Sequence, residues 1–282
     1  MESDDGLDAR KCSTFRQKSP RRQENKSTML ILRLKQLIHL GALACRHPGA
    51  LKALVTWKPF STTVYENACR LARLGVPFRT IIDGGANIGQ FARAGAEFFP
   101  KAEIISFEPL LDAVAQFRKN LADCSRVRII PAALGAADGT LTFYPNAWSQ
   151  SSSALPVTET MQKEHPFTQQ LAPIEVPVVR LDASLSKETL APPVLLKLDL
   201  QGYEIEALKG ATGILPRLDY ILLEVATRPM YEGQPLFDDV RRHLADAGFE
   251  FLQFLEGGTQ LPAGHGEGDA VFVRQDVASR RN

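Results

Sequence analysis

The chain has 282 residues, 44% of them hydrophobic and 23% charged, and a formal net charge of +1. Such a composition belongs to a soluble globular protein with enough length for a sizeable core, and the near-neutral balance speaks against a chain whose main task is coating nucleic acid. The four cysteines (Cys12, Cys45, Cys69, Cys124) form no CxxC pair, which speaks against a zinc site or a disulfide framework and for a reduced, cytoplasmic setting.

Residues 1–28 are polar, mix both charge signs and show no hydrophobic period, so they read as a disordered, solvated tail. Residues 29–54 read as a helix, with Leu30, Leu34, Leu37 and Gly41 at helical spacing and Pro48-Gly49 as its breaker. Arg33, Lys35 and His39 interrupt the apolar stretch, which falls short of the roughly 20 residues a membrane span needs. This helix packs on the following domain, or lies on a membrane surface or a partner subunit of an oligomer. A second helix over 62–74 stops at Gly75 and Pro77, completing an N-terminal helical extension over 29–77.

From residue 78 strands and helices alternate. Strands are predicted over 79–83, 103–107 and 127–130, with helices over 88–99 and 111–121 between them, which implies a parallel, doubly wound sheet. A detour follows: a strand at 140–144, a loop over 146–173 rich in Ser, Thr, Gln and Pro, and a strand at 176–181. Loops of that length are functional lids or disordered inserts. The series resumes with a strand at 194–198, a helix at 203–215, a strand at 220–225 and a helix at 236–247. Strands at 249–254 and 270–273, joined by a Gly-rich turn, read as antiparallel. The domain runs over 78–274, and 275–282 is a polar tail.

The first strand ends in Asp83-Gly84-Gly85-Ala86-Asn87-Ile88-Gly89. Strand, glycine loop and helix make a nucleotide-binding arrangement. The dinucleotide spacing G-x-G-x-x-G and the G-K-S/T of a phosphate loop are both absent. An Asp at the strand end repels a pyrophosphate and suits a cationic ligand, such as the sulfonium and ammonium of S-adenosylmethionine. Glu108, in Phe107-Glu108-Pro109, ends the next strand, where a carboxylate can accept both hydroxyls of a ribose. It also suits the start of a helix. Ala132-Ala133-Leu134-Gly135 ends the third strand with small residues that leave room for an adenine ring, or simply make a turn.

These blocks, together with Leu196-Lys197-Leu198-Asp199-Leu200-Gln201-Gly202-Tyr203-Glu204, its continuation to Gly210, and Ala270-Val271-Phe272-Val273, resemble the FkbM family of S-adenosylmethionine-dependent O-methyltransferases. The resemblance covers roughly residues 78–274. It implies an α/β, class I methyltransferase (Rossmann-like) fold: a doubly wound seven-stranded sheet of order 3-2-1-4-5-7-6 with strand 7 antiparallel. It also implies methylation of a hydroxyl on a sugar, polyketide or other small-molecule acceptor. Cofactor-binding candidates are Asp83, Gly84, Gly85, Asn87, Gly89, Glu108, Ala133 and Asp199. Asn87 stands where a glycine is more usual, and Gln201 stands where the family often has Glu.

Transfer to a hydroxyl needs a base or a metal for the proton. The catalytic candidates are Asp199, Lys197 and Glu204. Asp199 ends the fourth main strand, on the edge where ligands of open α/β sheets bind. Lys197 lies two residues earlier on the same face and serves the site or simply pairs with Asp199. Glu204 and Glu206 begin the next helix, where carboxylates also suit its dipole. Glu224, His165 and His265 rank lower, and Ser149 to Ser153 line the acceptor pocket if the long loop folds over it, or else belong to a flexible tether. A divalent metal at Asp199 is compatible with this reading, but no residue pattern supports one. The competing reading from another class is a catalytically inactive cofactor-binding partner or membrane-surface module, motivated by the N-terminal helix and Gln201. A nicotinamide-dependent oxidoreductase is disfavoured by Asp83 and by the missing phosphate spacing.

Overall fold

The computed structural model describes residues 49–166, 168–256, 258 and 266–280. The expected tail over 1–28, most of the helix over 29–54, and His265 lie outside the described residues. The chain divides into two compact units, Met1–Gly49 and Ala50–Asn282, and the second carries the sheet.

Two helices come first, α1 (Gly49–Thr56) and α2 (Thr62–Ala72). Ser61 caps α2 by accepting the Val64 N–H, as an N-cap serine should. Then β1 (Thr80–Gly84), α3 (Gln90–Phe98), β2 (Glu103–Phe107), α4 (Leu111–Asn120) and β3 (Val127–Ile130) alternate as the sequence periods imply. The detour contains β4 (Ala133–Leu134), β5 (Gly139–Phe143), α5 (Glu159–Glu164), β6 (Ile174–Val179) and α6 (Leu181–Ser184). The main series ends with β7 (Val194–Leu198), α7 (Glu204–Lys209), β8 (Tyr220–Ala226), α8 (Phe237–Asp246), β9 (Phe249–Phe254), β10 (Glu267–Arg274) and α9 (Gln275–Ala278).

Seven strands form one sheet in the order β3-β2-β1-β7-β8-β10-β9. Numbered within that sheet alone, this is the expected 3-2-1-4-5-7-6. β10 runs antiparallel to both β8 and β9, and the other pairings are parallel. Strands β1 and β7 are buried along their whole length, because helices cover both sheet faces. Alternate residues feed two cores. Ile82, Leu196, Ile221 and Phe272 pack under α7 and α8. Ile81, Leu195, Leu222 and Val271 share the opposite core with Phe78 and Phe91, and Leu71 and Val76 of the helical extension join them.

The structure corrects three sequence expectations. The 146–173 segment contains a 3-10 turn at Ser149–Ser151 and the short α5, capped by Thr158, and bridges Tyr144 to Ser153 and Val157 to Tyr231. A helix of six residues is too short to show a period. The strand expected at 176–181 is Ile174–Val179, paired with β4 and β5 in a separate three-stranded sheet. The helix expected over 203–215 ends at Lys209, where a Cβ on Gly210 would lie 2.0 Å from the Gly135 carbonyl oxygen. Glycine there lets α7 approach β4. Among the described residues, no helix is long and apolar enough to cross a membrane.

Candidate active site

The parallel strands end at one edge, and the antiparallel β10 begins there. A cavity of about 410 Å³ opens at this edge between the β1, β2 and β7 loops and the 149–152 segment. Of the expected site residues, Gly85, Asn87, Glu108, Ala133, Lys197 and Asp199 line it. So do Glu224, His165, and Ser149 to Ser152 of the long segment.

Asp83, Gly84, Gly89 and Glu204 are not part of that lining. The register places Asp83 beside Ser106 on β2 and Lys197 on β7. Its carboxylate is wholly buried, pairs with the Lys197 ammonium at 3.2 Å and accepts the Ser106 hydroxyl at 3.2 Å. Asp83 therefore meets a cation supplied by the chain itself, not the cavity. Lys197 also donates to the Gly84 and Gly85 carbonyls, at 3.4 and 3.3 Å, and lies 3.7 Å from Asp199. Burial lowers the affinity of this ammonium for its proton, but Asp83 and Asp199 outweigh it and raise the pKa to about 12. Removing one partner of a buried pair costs about 3–5 kcal/mol, since the other is left charged and dry. Lys197→Met is therefore expected to lower the stability of the fold by that much, read as a denaturant midpoint. A midpoint equal to the parent's would mean that Asp83 folds already protonated.

Glycine at position 85 has a spatial reason. Its φ is +75°, and a Cβ there would lie 2.0 Å from the Asp199 carbonyl oxygen, so only a residue without a side chain lets the β1 and β7 loops touch. Asn87 follows at φ +47°, and its side chain exchanges hydrogen bonds with the Ser149 hydroxyl across the cavity mouth. Glu108 is buried at the end of β2, where Oε2 accepts the Asn87 N–H and Oε1 the Leu110 N–H, each at 2.9 Å. Burial pushes this carboxyl up to about 7, against the pull of those two amides.

Glu204 closes a loop. Its Oε1 accepts the N–H groups of Leu200 and Gly202, at 2.8 and 3.3 Å, and its side chain is buried. This fixes the segment that carries Asp199 and Gln201. The Asp199 side chain keeps 42% of its surface exposed, so it is open to the cavity. Gln201 Nε2 donates to Asp199 Oδ1 at 2.8 Å and to Glu224 Oε2 at 2.6 Å, and Gln201 Oε1 accepts the Tyr231 hydroxyl at 2.6 Å.

Sequence reasoning missed the acid wall from β10. Asp269 stands directly opposite Glu224 in the antiparallel pair, and both line the cavity with Glu267. Asn67 of α2 donates to Asp269. Burial pushes Asp269 up to about 7, with Asp199 and Glu256 adding to it. Burial, then Asp199, Glu267, Asp269 and Glu204, hold Glu224 well above the usual carboxylate range. A signal was available: an antiparallel strand starts at the edge where parallel ones end, so the polar Glu267-Gly268-Asp269 had to open beside Glu224.

Among the described residues, Lys197 is the one Lys or Arg in the lining, against the carboxylates of Glu108, Asp199, Glu224, Glu267 and Asp269. Such a lining rejects a pyrophosphate and suits a cationic adenosyl ligand. Among the described residues no group of three or more His, Cys, Asp or Glu is arranged to hold a metal ion.

A sheet of this order, with a glycine loop after β1 and a buried acid after β2, defines a Rossmann-like class I methyltransferase. The model of the methyltransferase FkbM domain matches residues 83–251, and the chain belongs to that family. It is an S-adenosylmethionine-dependent methyltransferase. The chain is 30% identical over 165 residues to the 2-O-methyltransferase NoeI of Sinorhizobium fredii, covering 56% of this chain and 68% of that protein. It is 25% identical over 145 residues to the hexuronic acid methyltransferase AglP of Haloferax volcanii, covering 51% of this chain and 54% of that one. The crystal structure of Methyltransferase FkbM from Methylobacillus flagellatus aligns with a TM-score of 0.45 at 12% identity, covering 70% of this chain and 44% of that one.

Proposed function

We propose that the protein transfers the methyl group of S-adenosylmethionine to a hydroxyl of an uncharged sugar. The observation that carries this reading is the open Asp199 carboxylate, tied through Gln201 to Glu224 on the floor of the cavity. The relatives' printed activities, 2-O-methylation and methylation of a hexuronic acid, support oxygen of a sugar as the acceptor. The acid wall argues against a uronate acceptor here: burial raises Asp269 and Glu224 towards their neutral forms, and each group that ionises repels a second carboxylate. Trp148, half exposed at the rim, offers a flat apolar face to the C–H groups of a sugar ring.

When bound, S-adenosylmethionine supplies an electrophilic sulfonium methyl group whose carbon–sulfur bonding pair stays with sulfur on transfer. Glu108 would accept the two ribose hydroxyls, the Gly85–Asn87 backbone would hold the methionyl part, and Ala133 would leave space for the adenine. Asp199 takes the hydroxyl proton as the acceptor oxygen bonds to the methyl carbon. The Ser149–Ser152 segment lines the same cavity, with Ser149 bonded to Asn87.

A panel of radiolabelled transfers to neutral hexose glycosides, hexuronates and simple alcohols tests this. Product from the neutral glycosides alone is the expected result. Preference for hexuronates would overturn the charge argument, and no transfer to any sugar would overturn the acceptor class.

A further inference from the structure

Gln201 has a specific task that the carboxylates around it define. Its φ is +55°, a left-handed backbone that Gly202 continues at +95°, and the Ser153 hydroxyl holds its carbonyl oxygen at 2.8 Å. The side chain reaches between the ends of β7 and β8. Its amide orientation is fixed by its neighbours. Turned over, the amide oxygen would face carboxylate oxygens of Asp199 and Glu224 at 2.8 and 2.6 Å, with no hydrogen between them. As placed, both amide hydrogens have acceptors and the amide oxygen has a donor.

We propose that Gln201 is a positioning residue for the transfer, the neutral two-hydrogen donor that binds Asp199 and Glu224 into one proton-accepting pair. The proposal rests on Asp199 as the proton acceptor. Two carboxylates this close repel one another, and a shared donor favours the charged form of both. No charged side chain does the same work in this geometry. A lysine ammonium would neutralise the pair and spoil it as a base. A glutamate would add a third negative charge, or, if protonated, would offer one hydrogen where two acceptors wait. The single Tyr231 hydrogen is shared between Gln201 Oε1 at 2.6 Å and the Ser151 carbonyl at 3.3 Å, so the two carboxylates are what keep the amide from turning. The segment that lines the cavity also holds the Gln201 backbone, through the Ser153 hydroxyl.

The charged and titratable groups around the pair are Lys197 on β7, Glu204 on α7, Glu267 and Asp269 on β10, and Tyr231 after β8. Arg228, His165 and Glu256 act on the β10 acids from further out. Lys197 is spent on Asp83, so the amide of Gln201 is the donor that reaches both members of the pair.

The test compares Gln201→Glu and Gln201→Met with the parent as full chains. Carboxyl carbon-13 signals of the ligand-free protein are titrated and assigned to the pair by their loss in Asp199→Asn and Glu224→Gln. The upper apparent pKa of the pair is expected to rise by about one unit in Gln201→Met and by more in Gln201→Glu, each unit being tenfold in proton affinity. Calorimetric affinity for S-adenosylhomocysteine, which carries no sulfonium, is expected to stay within about threefold of the parent, showing that the pocket is intact. Turnover with whichever glycoside the panel yields should lose its acid limb by the same number of pH units. A pair whose titration is unchanged in both variants would overturn the proposal. An Asp199→Asn protein that keeps full turnover would instead overturn the reading of Asp199, whatever the titration shows.

Discussion

Glu108→Ala is expected to weaken binding of S-adenosylmethionine by roughly 10²- to 10⁴-fold, since two charge-assisted hydrogen bonds contribute about 1.5–3 kcal/mol each. S-adenosylhomocysteine should lose the same factor, because the ribose is common to both and the sulfonium is not. Calorimetry with the two ligands measures this directly. The wild-type protein should also show a pH dependence. Glu108 must be ionised to accept two hydroxyls, and its pKa in the ligand-free protein is about 7. Affinity should therefore fall as pH drops through 7 and level off above it, with about half a proton released per ligand bound at pH 7 and close to one at lower pH. A variant that binds both ligands within threefold of the parent would place the ribose elsewhere. A loss confined to S-adenosylmethionine would make Glu108 a partner of the sulfonium instead.

Much of the sheet could be read from the sequence because β1, β2 and β7 are largely apolar runs of five residues, each ending in glycine or followed by an acid. Val194–Leu198 and Glu103–Phe107 are cases where the expected and observed ends coincide. The long segment resisted, since its bridges join residues by backbone hydrogen bonds that leave no side-chain period. Tyr144 with Ser153 is one such bridge, and Val157 with Tyr231 another.

The site divides the same way. Glu108 and Asp199 were visible because each stands at the end of a strand whose neighbours announce it. Asp83 shows the limit. The carboxylate was conspicuous, but its partner Lys197 is set by the register of β1 against β7, which no local pattern records. The charge that seemed to await a ligand is neutralised within the sheet. Asp269 and Asn67, which are 202 residues apart, meet only once α2 and β10 are in place. Gln201 stood out as a departure from the family pattern. The departure gains its meaning from Glu224 and Tyr231, which the fold brings beside it and its neighbour Asp199.

Asp199→Asn should cost roughly 10²- to 10⁴-fold in turnover, the usual contribution of a positioned base, while leaving affinity for S-adenosylhomocysteine nearly intact. The substitution keeps the size of the side chain and its hydrogen bonding to Gln201 through the amide oxygen. It removes the charge that receives the acceptor's proton. Lys197 would lose a partner at 3.7 Å but keep Asp83 at 3.2 Å, so the buried pair should hold and the unfolding midpoint should move little. The contrast with Lys197→Met is the informative part. One variant should be stable and slow, the other unstable, although the two side chains touch. A direct comparison of turnover and unfolding midpoint in the two proteins settles which of them serves the chemistry. If Asp199→Asn turned over at the parent rate, the proton would have to leave by Glu224 or by solvent. The pH profile of Glu224→Gln would then separate those two routes, since only the first depends on that carboxylate.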